Sequence, residues 1–426
     1  MRSIERGLWR NRNFLLLFAG QSLSSIGSAV YSFALLWDMK VLTNNPFLMS
    51  LVGVGWVLPQ VALGSFAGVF VDRWNKRLVM IVSDFGRLIL TAWVTALALM
   101  QVLNPAEIIA AVFLGNSIFA FFNPASSALM PLVVNERDLG SANGMQQVMG
   151  PFSMIVGPAL AAGLIAWLGI PYAYAPNIGT FLVSIVTLAL IRAKEPEKIR
   201  RPFDVGHLRA EYAEGFSALR GIRLLTVLIP SALVINFLYA PTDVYLVQFA
   251  TQVLHMRQVA VAELNAAFAF GMLLGSLSFG PLSQRVQLGV ILGVALLFLN
   301  LPFIVMPLIP ILVIDVILMF AMGMAIGIVN TLVVTLVQLL TPQHLMGRVF
   351  GFIGTVFNAA SPLGLLVGGA VATALPVRRL MMLVGAVAFL GGIWVPFLRD
   401  VREARLPTVA SENSFSPDEA REDAAQ

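Results

Sequence analysis

Apolar residues run in long, nearly unbroken stretches along this chain, and polar residues collect in the gaps between them. A helix crossing a bilayer needs about 20 consecutive, mainly apolar residues. Twelve stretches reach that length: 14–40, 47–71, 78–103, 106–134, 142–168, 171–192, 222–252, 260–284, 287–308, 310–340, 348–375 and 378–399. Hydrocarbon offers the backbone no hydrogen-bond partners, so such stretches are expected to be helices. The pattern predicts an all-α membrane protein with twelve transmembrane helices. Some gaps shrink to almost nothing, as at Leu168-Gly-Ile-Pro171.

The one long polar interior segment runs from Arg192 to Gly221. Within it Leu208, Tyr212, Phe216 and Leu219 recur at helical spacing, which predicts an amphipathic helix on the membrane surface; a plain linker is compatible with the same residues. The organisation expected is a six-helix bundle over 1–192, a linker with its amphipathic helix over 193–221, a second six-helix bundle over 222–399, and a disordered polar tail over 400–426. The first stretch follows Arg2, Arg6, Arg10 and Arg12, as a signal peptide would. It runs on to about Trp37 with no small-residue cleavage site after it, so a retained first span is expected.

Charge fixes the orientation of these spans. With both termini in the cytoplasm, 22 of the 27 lysines and arginines fall on inside segments and four (Lys40, Arg257, Arg378, Arg379) outside, with Arg87 within a span. Cytoplasmic loops are enriched in cations, so this split predicts cytoplasmic termini in a bacterial inner membrane. The net charge of +5 is thereby accounted for without nucleic acid. Only 12% of residues are charged and 58% are hydrophobic, against about 25% charged in a soluble domain. Cysteine is absent, which excludes disulfides and thiolate metal sites, and the three histidines (His207, His255, His344) lie far apart. No metal site and no cofactor are expected, and no phosphate-binding G-x-x-x-x-G-K-[ST] loop is present.

The two halves echo each other. Gly64-Ser-Phe-Ala-Gly68 precedes Asp72-Arg73, and Gly275-Ser-Leu-Ser-Phe-Gly280 precedes Gln284-Arg285; Leu139-Gly140 matches Leu345-Met-Gly347-Arg348. The offset is about 206 to 212 residues throughout. The loop after the second span reads Gly68-Val-Phe-Val-Asp72-Arg73-Trp-Asn-Lys76-Arg77. It resembles the loop between helices 2 and 3 of the major facilitator superfamily, G-x-x-x-D-R-x-x-R-R, with Lys76-Arg77 closing the motif. The resemblance implies the major facilitator fold, two pseudo-symmetric six-helix bundles related by parallel duplication, and a monomer. In the fifth span, Gly150-Pro151, Gly157-Pro158 and Gly163 resemble the G-x-x-x-G-P-x-x-G-G bend of the antiporter branch. Ordinary tight helix packing accounts for the same residues. Phe268-Ala-Phe-Gly-Met-Leu-Leu-Gly275 and Gly347-Arg348-Val-Phe-Gly-Phe-Ile-Gly354 resemble stretches of the macrolide-efflux group, to which the enterobactin exporter is related. That resemblance implies proton-driven export of a bulky amphipathic small molecule such as a drug, macrolide or siderophore.

Ionisable residues inside spans are costly and need a reason. Asp84 and Arg87 lie three apart on one face of the third span, able to neutralise each other or Asp72-Arg73. With Gly68, Asp72, Arg73, Lys76 and Arg77 they form a gating cluster expected to latch the cytoplasmic end; simple charge compensation is the other reading. Asp38 follows Tyr31 and Trp37 in span 1, and Asp243 follows Asn236 and Tyr239 in span 7, its repeat partner. The two acids are the candidates for proton coupling. Asp243 lies deeper, beside Pro241, which should unwind the helix locally; Asp38 is alternatively an interfacial residue with Lys40. Gln21, Tyr31, Asn123, Asn236, Tyr239 and Asn330 are candidate cavity residues, or helix–helix hydrogen-bonding groups.

Three other functions compete. A lipid or lysophospholipid flippase of the same fold would want clustered cations for a phosphate, whereas Arg87 stands alone. A membrane enzyme would need a His/Asp/Glu or Ser-His constellation, which the spans lack. A nutrient importer would share the fold. The partners expected are the lipid bilayer, protons and a small-molecule substrate.

Overall fold

The computed structural model describes residues 8–193, 223–341 and 346–392. Every regular element among them is helical. Six long helices form the first half: α1 (Arg12–Thr43), α2 (Pro46–Arg73), α3 (Lys76–Leu99), α4 (Pro105–Val133), α5 (Leu139–Leu168) and α6 (Ile170–Leu190). The second half holds α7 (Arg223–Tyr239), α8 (Thr242–Gln252), α9 (Gln258–Arg285), α10 (Leu288–Leu308), α11 (Leu312–Leu340), α12 (Met346–Ala374) and α13 (Val377–Gly392). The helices outnumber the twelve predicted spans by one because span 7 is broken into α7 and α8 at Ala240-Pro241, where the proline predicts it. Ten segments among the described residues are long and apolar enough to cross a membrane; the last two predicted spans are α12 and α13. The predicted linker helix and tail lie outside the described residues.

Asparagine starts many of these helices. Asn11, Asn45, Asn75 and Asn104 each accept backbone N–H groups of the first turn that follows. Asn104 completes a capping box with Glu107. The two-residue turn between α1 and α2 needs a left-handed residue, and Asn44 supplies it at φ 49°. Free carbonyls at helix ends are met by side chains. Asn11 donates to Val133 O at 2.7 Å, Asn13 to Arg192 O at 3.0 Å, and Arg77 to Ile191 O at 2.5 Å. These bonds tie the starts of α1 and α3 to the ends of α4 and α6.

In the first bundle α1 packs on α5 and α6, α3 on α4 and α6, and α2 on α4; in the second, α9 packs on α11, and α10 on α11 and α13. Glycine sets the tightest of these contacts. Gly271 and Gly275 of α9 face the carbonyls of Phe320 and Met324, and Gly323 and Gly327 of α11 face those of Phe268 and Met272, so a Cβ at any of the four would overlap backbone. The two largest contacts between the bundles are α2 with α12 and α5 with α9, beside a smaller one of α2 with α8. Span 2 corresponds to span 8 and span 5 to span 11, so the internal repeat exchanges these two contacts.

Among the described residues the bundles meet mainly at one end. Near the α1–α2 turn, Phe47 and Ser50 abut Gly369, and Gly53 abuts Leu365. Ala161, Ala162 and Ile165 of α5 share an apolar cluster with Ala260, Val261 and Ala262 of α9. Lys40 is buried there and donates to Gln248 of α8 at 3.2 Å. Toward the Asp72–Arg77 loop, the positions of Gly64, Gly68, Gly140, Gly144, Gly150 and Gly280 have open space beside them, and Phe66 and Phe70 are exposed.

A charged pair is enclosed in the first bundle. Asp84 has no exposed surface, and Arg87 lies 3.8 Å from it, one turn along α3. Ser184 of α6 donates to Asp84 Oδ2 at 2.6 Å, and Arg87 donates to Ser28 of α1 at 3.0 Å. The guanidinium sits between the rings of Phe119 and Phe181, 4.6 and 4.5 Å from their centroids.

Two stability outcomes follow. Gly275→Ala should lower the melting temperature of the purified protein, at an overpacking cost of about 1–3 kcal/mol, while Gly280→Ala, with open space beside it, should not. Arg87→Met strands Asp84 and should cost about 3–5 kcal/mol; the double variant Asp84→Asn/Arg87→Met should recover much of that loss. A double variant no more stable than the single one would contradict the pairing.

Candidate functional site

Two adjoining cavities occupy the interior. The first lies between the bundles, with a volume of about 360 Å³, and draws its walls from α1, α2, α5, α7, α8, α9 and α11. Most of its lining is apolar: Trp37, Trp56, Met154, Met319, Met322 and Phe268 among others. Asp243 is the one charged residue among its described lining residues. The helix break places it there. Pro241 caps α8, Thr242 donates to Tyr239 O at 2.6 Å across the break, and Asp243 follows in the first turn. Its carboxylate thus sits near the positive end of a helix dipole. No protein group among the described residues hydrogen-bonds to it, and its side chain is exposed to the cavity. Tyr239, on the same wall, donates to Asn300 at 2.7 Å.

The second cavity has a volume of about 780 Å³, and the described residues that line it come from α1 to α6. Its walls are rich in amides and hydroxyls, and Arg87 is the one cation among its described lining residues. Ala29, Ser32 and Trp56 line both cavities, so the two are neighbours.

The sequence candidates distribute unevenly. Gln21, Tyr31 and Asn123 line the N-terminal cavity, and Tyr239 lines the inter-bundle one. Gln21 also donates to Ser184 at 3.2 Å. Asn236 lines neither; it accepts from Ser361 at 2.6 Å and joins α7 to α12. Asn330 is exposed on α11 and also lines neither. Asp38 does not face a cavity. It is buried and accepts from Tyr174 of α6 at 2.6 Å, while Lys40 turns to Asn44 and Gln248. In the fifth helix, Gly157 gives room to Ala29 of α1 and Pro158 lines the inter-bundle cavity, whereas Gly150 and Gly163 have open space beside them; Gly150, next to Pro151, lines the N-terminal cavity. Of the gating cluster, Asp72 is exposed, Lys76 donates to Asp72 O at 3.3 Å, and Arg73 is half-buried. Asp84 and Arg87 belong instead to the interior of the bundle.

Sequence reasoning missed several residues. Asn143, Gln146 and Gln147 line the N-terminal cavity at helical spacing (i, i+3, i+4), a signal that was present in the chain. Gln248, which bonds to Lys40 across the bundles, carried no such signal, because the contact joins residues 208 apart. Asp315 was not missed: the chain shows it as an acid near an outer span end, and the structure puts it in the first turn of α11, fully buried, with neither carboxylate oxygen hydrogen-bonded by a group among the described residues. Among the described residues no three His, Asp or Glu side chains are placed to hold a metal ion.

Comparison with known proteins agrees with this architecture. Residues 17–364 match the model of the Major Facilitator Superfamily. The chain is 24% identical over 395 residues to macrolide efflux protein A of Streptococcus pyogenes, covering 92% of this chain and 97% of that one. It is 28% identical over 380 residues to the multidrug efflux pump Tap of Mycobacterium tuberculosis, covering 84% and 88%. Among solved structures, the bacterial homologue of the lysosomal transporter Spinster, in an inward-facing and unoccupied conformation, superposes with a TM-score of 0.73 at 13% identity, covering 96% of this chain and 99% of that one. A bacterial homologue of the iron transporter ferroportin, in its inward-facing state, gives 0.68 at 14% identity, covering 92% and 100%. All-helical, with ten candidate membrane spans among the described residues and a family match over most of its length, the chain belongs to the Major Facilitator Superfamily and is a multi-pass membrane transporter, not an enzyme.

Proposed function

We propose that this transporter exports a bulky amphipathic small molecule from the cytoplasm in exchange for protons, by alternating access. The observation that carries the reading is Asp243, among the described residues the single charged group lining the inter-bundle cavity and one with no hydrogen-bond partner. A carboxylate enclosed by apolar walls is poorly solvated and stabilised by binding either a proton or a cationic group. The two occupants exclude each other, and that exclusion is the coupling. The surrounding Trp37, Trp56, Met154, Met319 and Met322 suit the apolar body of such a molecule, since aromatic faces attract cations and methionine adapts to varied shapes. The names of the two efflux relatives agree with this substrate class.

The cation count puts both termini, and the Asp72–Arg77 loop, in the cytoplasm. On that orientation the closed end faces outward, and the protein is inward-facing and ready to load. In the outward-facing state the bundles would close over the Asp72–Arg77 loop, whose charges then serve as the cytoplasmic latch. A lipid phosphate is served less well. The one cation lining either cavity, Arg87, is already engaged by Asp84. The driving force suffices, because one charge moving through about 100 mV is worth about 2.3 kcal/mol, more than a tenfold solute gradient at about 1.4 kcal/mol. A monomer in a bacterial inner membrane is enough for this cycle.

Asp243→Asn should abolish substrate-triggered proton release, read by dequenching of an internal pH dye in inverted vesicles, with expression unchanged. Asp243→Glu should keep part of it. Undiminished release in the asparagine variant would contradict the assignment.

A further inference from the structure

We propose that the N-terminal cavity is a binding site for an uncharged, multiply hydroxylated portion of the transported molecule, a glycosyl group or a comparable polyol; this rests on the export reading above. The first argument is electrostatic. Among the described residues Arg87 is the only charged one lining this cavity, and Asp84, Ser28 and two aromatic rings hold it in place. The pair sums to no net charge. A ligand ion therefore meets no unbalanced countercharge, and the part of the ligand that enters is neutral.

The second argument concerns hydrogen bonds. Asn123 on α4, and Asn143, Gln146 and Gln147 in the first three turns of α5, line the cavity with no hydrogen-bond partner among the described residues. Ser22 Oγ, on α1, is buried against the same cavity and also lacks a partner. A carboxamide donates and accepts at once, and so does a hydroxyl. Walls made of such groups are matched by ligand groups that also donate and accept without charge, and hydroxyls are the commonest of these. Ser22 Oγ is the buried one among these wall groups, and a buried polar group without a partner is costly, which favours a ligand that supplies one.

The neighbouring cavity shows the contrast. It is mainly apolar and carries the single carboxylate Asp243. Through the shared Ala29, Ser32 and Trp56 the two compartments together suit one molecule with a hydroxylated end and an apolar body.

The test uses the full chain in lipid nanodiscs, since maltoside detergents are themselves glycosides. Tryptophan fluorescence is titrated with digitoxin, an uncharged steroid glycoside, with its sugar-free aglycone digitoxigenin, and with tetraphenylphosphonium, each corrected against protein-free nanodiscs. The glycoside should bind at least about tenfold more tightly than the aglycone. In Asn143→Ala/Gln147→Ala that advantage should vanish while tetraphenylphosphonium affinity is unchanged. Both positions are exposed to the cavity, and alanine favours the helix, so the fold should stand. Equal affinity for glycoside and aglycone, or an advantage that survives the double substitution, would overturn the proposal. If tetraphenylphosphonium still binds through Asp243 in that case, the export reading stands and only the polyol site falls. A glycoside preference with no Asp243-dependent binding of tetraphenylphosphonium would support the site and overturn the coupling scheme.

Discussion

A peptide group or charge without a partner is costly in hydrocarbon, and almost every feature of this molecule answers that constraint. The backbone runs as helices throughout the described spans, and asparagine side chains or neighbouring helices satisfy many of their ends. Small residues let α9 and α11 approach until backbone meets backbone. The buried charges of the first bundle are matched: Asp84 with Arg87 and Ser184, Asp38 with Tyr174, Lys40 with Asn44 and Gln248. Against this background two acids stand out for having no hydrogen-bond partner among the described residues: Asp315, buried in α11, and Asp243, whose carboxylate faces a mainly apolar cavity. The chain invests a helix break and a proline in putting it there.

The repeat turns the same packing into a two-state device. Contacts of α2 with α12 and of α5 with α9 close one end and leave the other apart. The internal symmetry exchanges those two contacts, so one rocking motion can loosen both and bring the opposite ends together. Lys40 and Gln248 sit at the closed end and must separate in that motion. The exposed Phe66, Phe70 and Asp72 lie toward the end that would then close.

Much of the fold was legible in the sequence, because hydrophobic length is a strong signal when the solvent is lipid. The loop Gly68–Arg77 and the echo at Gln284-Arg285 carried the family. Pro241 announced the break in span 7. The site was less legible. Asp38 and Asp243 occupy corresponding places in the repeat and look alike in the chain, yet one is bonded to a tyrosine and the other faces a cavity. That difference depends on which face of the helix meets a neighbour, and Tyr174 is 136 residues from Asp38. Asp84 and Arg87 showed their spacing but not their depth. The amides at Asn143, Gln146 and Gln147 showed a polar stripe that only the arrangement of six helices turns into a cavity wall.

The central claim is that a proton and a cationic ligand compete for Asp243. The most direct test is the affinity of the protein in nanodiscs for tetraphenylphosphonium, measured from acid to neutral pH in the native chain and in Asp243→Asn. Competition predicts that affinity strengthens as pH rises in the native chain and is weak and flat in the variant. The same pH dependence in both chains would contradict it.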